Sequence, residues 1–140
     1  MVELLHRVRV FLFETSKQAP RYLLLRPDQG LEACWGPIHG SIEFGEQLEN
    51  AIRREVAVET GLSPEVEVVD LDMPSRWVIG DEEIIEWNFG ARTRHVPDEL
   101  VLPERWVDHR WAEFSGAYPT LELENDRAAI LRLHTMLGAA

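Results

Sequence analysis

Gly40-Ser41-Ile42-Glu43-Phe44-Gly45-Glu46 and, beyond Gln47 to Arg53, Arg54-Glu55-Val56-Ala57-Val58-Glu59-Thr60-Gly61-Leu62 form the stretch that decides how the chain folds. After Gly45 the composition changes to good helix formers and stays so until Gly61, with Pro64 as a second breaker, so a helix is expected over 46–60. At about 100° per residue, Leu48, Ala51, Ile52 and Val56 gather on one face as its core-facing stripe. Glu55 and Glu59 fall inside that stripe. One turn apart, their like charges weaken the helix, and partly buried carboxylates are costly unless paired or bound to metal. A hard divalent cation such as Mg²⁺, which prefers carboxylate oxygen and keeps waters and phosphates as its other ligands, answers both problems. The plainer alternative has both glutamates reaching solvent at the edge of the stripe or pairing with Arg53 and Arg54.

Outward from this helix, Val8, Val10 and Leu12 alternate with Arg7, Arg9, Phe11 and Phe13, and Tyr22 to Leu25 is strongly apolar after a turn from Lys17 to Pro20. Two strands joined by a hairpin-like link are expected there. Pro27 to Gly45 is broken by Gly30, Gly36, Pro37 and Gly40 and reads as loop and short strand. Beyond the helix, Glu65 to Leu71, Ile84 to Arg92 and Arg110 to Phe114 read as further strands. Ala129, Ile130, Leu133, Met136 and Leu137 mark a last amphipathic helix, with Asn125 as its expected cap. This order implies an α+β fold with a mixed sheet between helices, and 140 residues without repeat or linker imply one domain over 1–140.

A net charge of −11 disfavours a nucleic-acid polymer or an anionic membrane as partner, since both repel it. It leaves room for a small phosphorylated ligand, because bound cations reverse the local charge. No uncharged run reaches ~18 residues and His6, Arg7 and Arg9 interrupt the N-terminal apolar residues, so no membrane span or signal peptide is read and a cytoplasmic location is the default expectation. Cys34 stands alone, fits a reducing compartment and is expected as a small core residue. Nothing here decides between a monomer and a homodimer.

The quoted stretch resembles the Nudix box, Gx5Ex7REUxEExGU with U aliphatic, at every fixed position except Val58, which stands where the first glutamate of the EE pair is expected. The resemblance implies a Nudix-type α/β/α sandwich and a hydrolase that cleaves a phosphoanhydride bond with Mg²⁺, or Mn²⁺, bound. By position, Glu55 and Glu59 are the implied metal ligands, the Gly40 carbonyl a further one, and Arg54 orients Glu55 or pairs with Glu46. Valine cannot coordinate, so a carboxylate from outside the helix is implied. Glu104, in the loop before His109-Arg110-Trp111, is the choice, with Asp108 and Glu99 as competitors. That segment is similar to one in the bacterial dihydroneopterin triphosphate pyrophosphatases, as are Trp35, Glu86-Trp87 and Asn125-Asp126-Arg127-Ala128.

Five tryptophans, at 35, 77, 87, 106 and 111, offer stacking surfaces for a base or pterin ring, although most are expected in the core. Trp77, expected in a loop beside Arg76, is the favoured exception, and Trp35 and Trp87 are further substrate candidates. Arg26 and Arg76 are candidate phosphate contacts, and His39 a substrate-contacting or structural histidine rather than a ligand of a hard cation. Pyrophosphate release from a nucleoside or pterin triphosphate is the expected reaction. A dinucleoside polyphosphate (Ap4A-type) hydrolase ranks second, because Ile79 and its neighbours stand where its tyrosine is expected, and a non-catalytic nucleotide-binding sensor is the alternative that Val58 raises.

Overall fold

A computed structural model of the chain describes residues 3–16, 18–28, 34–97 and 100–138. The elements run β1 (Glu3–Glu14), β2 (Arg21–Pro27), β3 (Ile38–Ser41), α1 (Leu48–Thr60), β4 (Glu67–Ile79), β5 (Glu82–Arg92), β6 (Trp106–Glu113), α2 (Phe114–Thr120) and α3 (Glu124–Met136). Five strands lie in the order β4-β5-β1-β2-β6, and β3 pairs with β1 off that path. Only β1 and β5 run parallel; the other pairs are antiparallel, giving the expected mixed sheet.

The period of two along β1 and β2 sorts side chains onto two faces. Val8, Val10, Leu12, Leu23 and Leu25 join Ile52 and Val56 of α1 in one core cluster. Phe11, Phe13, Tyr22 and Leu24 join Ala129, Ile130 and Leu133 of α3 in the other. Helices therefore cover both faces, the α/β/α sandwich expected from the sequence. Burying Ile52 and Val56 contributes roughly 1.5–3 kcal/mol each, enough to hold α1 on the sheet although two glutamates share its inner face.

On the side away from β5, β1 is shared between two partners: its end pairs with β2 through Phe13 and Tyr22, while its middle pairs with β3 through Val8 and Gly40 and through Arg9 and His39. Backbone hydrogen bonding thus fixes the loop that precedes α1. The helix stops at Gly61, whose φ of 71° is the left-handed conformation glycine adopts without steric cost and whose amide donates to the Ala57 carbonyl at 2.9 Å.

Several boundaries depart from the pattern in the sequence. α1 starts at Leu48 with Gln47 as its cap residue rather than at Glu46, whose carboxylate is instead turned to Arg54. β4 continues past Leu71 through Trp77 to Ile79, so Arg76 and Trp77 lie on a strand and not in a loop; a register shift between Asp70 and Pro74 accommodates the proline. α2 follows β6 at once, where Phe114 reads as the end of a strand. Leu123 rather than Asn125 occupies the cap position of α3. The tryptophans are also less buried than expected: Trp106 is buried, Trp35, Trp87 and Trp111 are half-buried against the clusters, and Trp77 is 37% exposed. Cys34 is half-buried rather than a core residue. Among the described residues no helix is long and apolar enough to cross a membrane.

Candidate active site

The inner face of α1 carries Glu55 and Glu59 at 6% and 1% exposure, so neither reaches solvent at the edge of the stripe. Val58, one residue before Glu59, is in contrast 59% exposed. Gly40 of β3 sits so close to the Glu55 carboxyl group that a Cβ at this position would collide with it. Glycine is therefore required by close approach, with the loop backbone laid directly on the carboxylate.

Arg54 fastens this loop to the helix. Its Nε and Nη2 donate to the two Glu46 carboxylate oxygens at 2.8 and 2.9 Å, Nη2 also to the Ser41 carbonyl at 2.8 Å, and Nη1 to Glu55 Oε1 at 2.5 Å. Both of the partners expected for Arg54 are thus engaged at once. The bidentate hydrogen bonds from Arg54 hold the Glu46 carboxyl down to about 2, and the same bonds push the arginine up. Glu46 also accepts the Glu43 amide at 3.0 Å, closing the turn between β3 and α1.

Glu59 has a different set of partners. Trp106 Nε1 donates to Oε2 at 2.9 Å, and the Arg105 guanidinium pairs with Oε1. Arg105 comes from the turn that leads into β6, and Trp106 is the first residue of that strand. Glu104 stands in that turn, exposed, one residue before Arg105. Asp108 is exposed on β6, and Glu99 lies outside the described residues. Among the described residues no three carboxylate, imidazole or thiol groups gather as a metal site. What the chain presents is two buried carboxylates with a glycine backbone against one of them. That oxygen-only donor set suits a hard cation that keeps much of its shell for water and phosphate, and the cradle at Gly40 is consistent with it.

Trp106, the donor to Glu59, meets the His39 ring edge-on at 6.1 Å. Arg7 Nη2 donates to His39 Nδ1 at 2.9 Å; since arginine has no acceptor, Nδ1 is the bare nitrogen and the proton sits on Nε2. Burial, then the charges of Arg9, Arg7 and Arg105, lower the His39 pKa to about 4, so the ring is neutral near pH 7. Trp106 and His39 line a small cavity that shares Arg9, His39, Leu123 and Asp126 with a larger one of about 500 Å³. Arg7, Trp77, Glu86, Glu124 and Asn125 complete the walls of the larger cavity.

A hydrogen-bonded chain sets the Trp77 ring there. Asp126 of α3 accepts two nitrogens of Arg9 at 2.7 to 3.0 Å, Arg9 Nη1 reaches Glu86 Oε2 at 3.4 Å, and Glu86 Oε1 accepts Trp77 Nε1 at 3.1 Å. Trp87 is not part of this wall: next to Glu86 on β5 it faces the opposite side, packs on the α1-side cluster and donates to His6 Nδ1 at 3.3 Å. Arg76 pairs with Glu83 across the β4–β5 hairpin at 3.0 Å. Trp35 lies between two guanidinium groups, Arg26 at 5.6 Å and Arg110 at 4.9 Å from its ring centre. The structure therefore joins Gly40, Arg54, Glu55 and Glu59 in one group and His39 and Trp77 in the adjoining cleft.

Arg7, Arg9, Arg105 and Trp106 are site residues that composition alone did not single out. A signal existed for two of them. Arg7 and Arg9 share the strand face of Phe11 and Phe13, so cations occupy inward positions of an otherwise apolar strand.

A mixed sheet between helices, with a glutamate-bearing helix laid against a glycine loop, defines a NUDIX-type fold. The NUDIX domain family matches residues 4–133, and the chain belongs to that family. A NUDIX hydrolase-type protein from Listeria monocytogenes superposes with a TM-score of 0.81 at 19% identity, covering 95% of this chain and 94% of that one. The dihydroneopterin triphosphate pyrophosphohydrolase of E. coli gives 0.73 at 19% identity, over 89% and 91%. An Ap4A hydrolase of C. elegans gives 0.73 at 15% identity, over 96% and 98%. No curated protein sequence matches the chain.

Proposed function

We propose that the protein is a Mg²⁺-dependent hydrolase, with Mn²⁺ as an alternative ion, that cleaves a phosphoanhydride bond of a nucleoside or pterin triphosphate and releases pyrophosphate. The observation that carries this reading is the buried pair Glu55 and Glu59 on the inner face of α1, with Trp106, the donor to Glu59, lining a cavity that shares His39 with the Trp77 cavity. In it, Glu55 and Glu59 hold the cation, the Gly40 carbonyl adds a ligand, and Glu104, exposed and able to re-aim without disturbing the core, is the third carboxylate. When bound, the cation neutralises phosphate charge, polarises the scissile P–O bond and lowers the pKa of a bound water.

The remaining work falls to the chain's own groups. Arg54 donates to the Glu55 carboxylate and aims it while tying the Gly40 loop to α1. Neutral His39 can donate from Nε2 to a substrate oxygen but cannot supply a second charge. Trp77 offers a ring face to a planar head group, in a cavity whose wall carries Arg7 and Arg9 as well as Glu86, Glu124 and Asp126. Arg26 and Arg76 remain outer contacts for phosphate, and Trp35 and Trp87 are the weaker stacking candidates.

Purified protein with Mg²⁺ and a panel of nucleoside and pterin triphosphates should release pyrophosphate, and Glu59→Gln should abolish release. Equal rates for wild type and Glu59→Gln would refute the assignment of the site. Cleavage of Ap4A but of no triphosphate would transfer the activity to the dinucleoside polyphosphate class, and tight nucleotide binding without turnover would make the protein a sensor.

A further inference from the structure

Resting on the assignment of Glu59 as a cation ligand, the next question is what a cation meets when it arrives. It does not meet a bare carboxylate: Oε1 is paired with Arg105 and Oε2 accepts Trp106 Nε1. A carboxylate 1% exposed needs such partners, since an uncompensated buried charge costs several kcal/mol.

The two arginines at the site differ in how they are held. Arg54 reaches Glu55 only as one arm of a guanidinium already fixed by Glu46 and the Ser41 carbonyl. Arg105 has a side chain 57% exposed, and its guanidinium lies over the Trp106 ring at 5.3 Å. Its backbone is fixed, with the Arg105 carbonyl accepting the Asp28 amide at 2.9 Å and the Trp106 amide donating to Pro103 at 3.1 Å. A rigid backbone, an aromatic face to slide on and a solvent-exposed arm allow Arg105 to leave Glu59 without disturbing the fold. Trp106, its platform, is a wall of the cleft.

We propose that Arg105 is an exchangeable counter-ion: it neutralises Glu59 while no divalent cation is bound, yields Oε1 when one binds, and then meets the substrate's phosphate oxygens from the Trp106 face. The guanidinium fork suits either carboxylate or phosphate, so the displaced group keeps an anionic partner. Glu59 keeps a cationic partner through the exchange: the singly charged guanidinium leaves as the divalent ion arrives, the ion's second charge falls to Glu55 and the phosphates, and the freed guanidinium meets the same anion.

The test uses the whole protein, Mn²⁺ alone and then inorganic pyrophosphate at saturating Mn²⁺, with both affinities read by calorimetry. Arg105→Gln should bind Mn²⁺ about tenfold more tightly and pyrophosphate about tenfold more weakly, the scale on which neighbours of metal ligands act. Opposite signs are the signature, because an arginine with a merely structural role would weaken both. Mn²⁺ binding no tighter than wild type, or unchanged pyrophosphate binding, overturns the proposal. Should Arg105→Gln fail to fold, Arg105→Lys keeps the charge but not the fork, and should hold Mn²⁺ affinity near wild type while weakening pyrophosphate; full retention of both overturns the proposal equally. Glu59→Gln separates the two levels. If it binds Mn²⁺ like wild type, the ligand assignment itself has failed, whereas its loss of Mn²⁺ beside an unchanged Arg105→Gln refutes only the role of Arg105.

Discussion

Val58 departs from the family pattern, and its side chain is out in solvent on the helix that carries Glu55 and Glu59. Because exposure leaves room for a larger group, Val58→Glu should fold and bind Mn²⁺ more tightly, by about tenfold if the added carboxylate shares the ion. Calorimetry that finds unchanged affinity would show that this face of α1 does not reach the cation. Trp77 permits a separate test. Stacking on a base is worth ~1–3 kcal/mol, so Trp77→Ala should raise KM roughly tenfold while kcat changes little. A fall in kcat at constant KM would move Trp77 out of the head-group cavity. At this scale the α1 carboxylates were legible, since two glutamates within an apolar stripe are conspicuous at helical spacing. Arg105 was not, because nothing local distinguishes an arginine that folds back on Glu59 from one in solvent, and the two lie in different elements.

Among the elements, α1 and the β1–β2 pair were readable because their apolar period matches their burial on a sheet covered on both faces. The extension of β4 through Trp77 was hidden by Pro74, since a proline reads as a strand end unless a bulge accommodates it, and bulges have no reliable local signature. That extension carries Trp77 to Glu86 and so builds the cavity. At the turn between β1 and β2, Glu14 is buried beside Ser16 and Arg21. Burial alone would raise its pKa, but hydrogen bonds from Ser16 and Arg21 outweigh it and the net shift is downward. A carboxylate lowered in the folded state contributes stability above its unfolded pKa of about 4.3 and loses it as pH falls further. Glu14→Gln should therefore be less stable than wild type at pH 7, and the difference should shrink on acidification below about pH 4.5. Denaturant midpoints that differ by the same amount at pH 7 and at pH 3 would refute this ion-pair account.

For the molecule as a whole, the proposed cation site links binding to folding, because the unfolded chain has no preformed carboxylate pair. At a hundredfold excess over Kd, a bound ion adds about 2.7 kcal/mol, which for a domain of this size raises Tm by several degrees. Mg²⁺ should produce that shift, chelation should reverse it, and Glu55→Gln should abolish it. A wild-type melting curve indifferent to Mg²⁺ and Mn²⁺ would refute cation binding in the millimolar range.

The bridge from Arg9 to Asp126 joins residues 117 apart in sequence, and its strand also pairs in parallel with β5. Contacts of such separation close late, and topologies rich in them fold in milliseconds to seconds rather than microseconds. During synthesis, β3 and α1 can lie ready on a chain whose Trp77 cavity has no far wall. That wall arrives only with the last helix, so the final turn of construction, and not the acidic helix near its middle, determines when the cleft first exists.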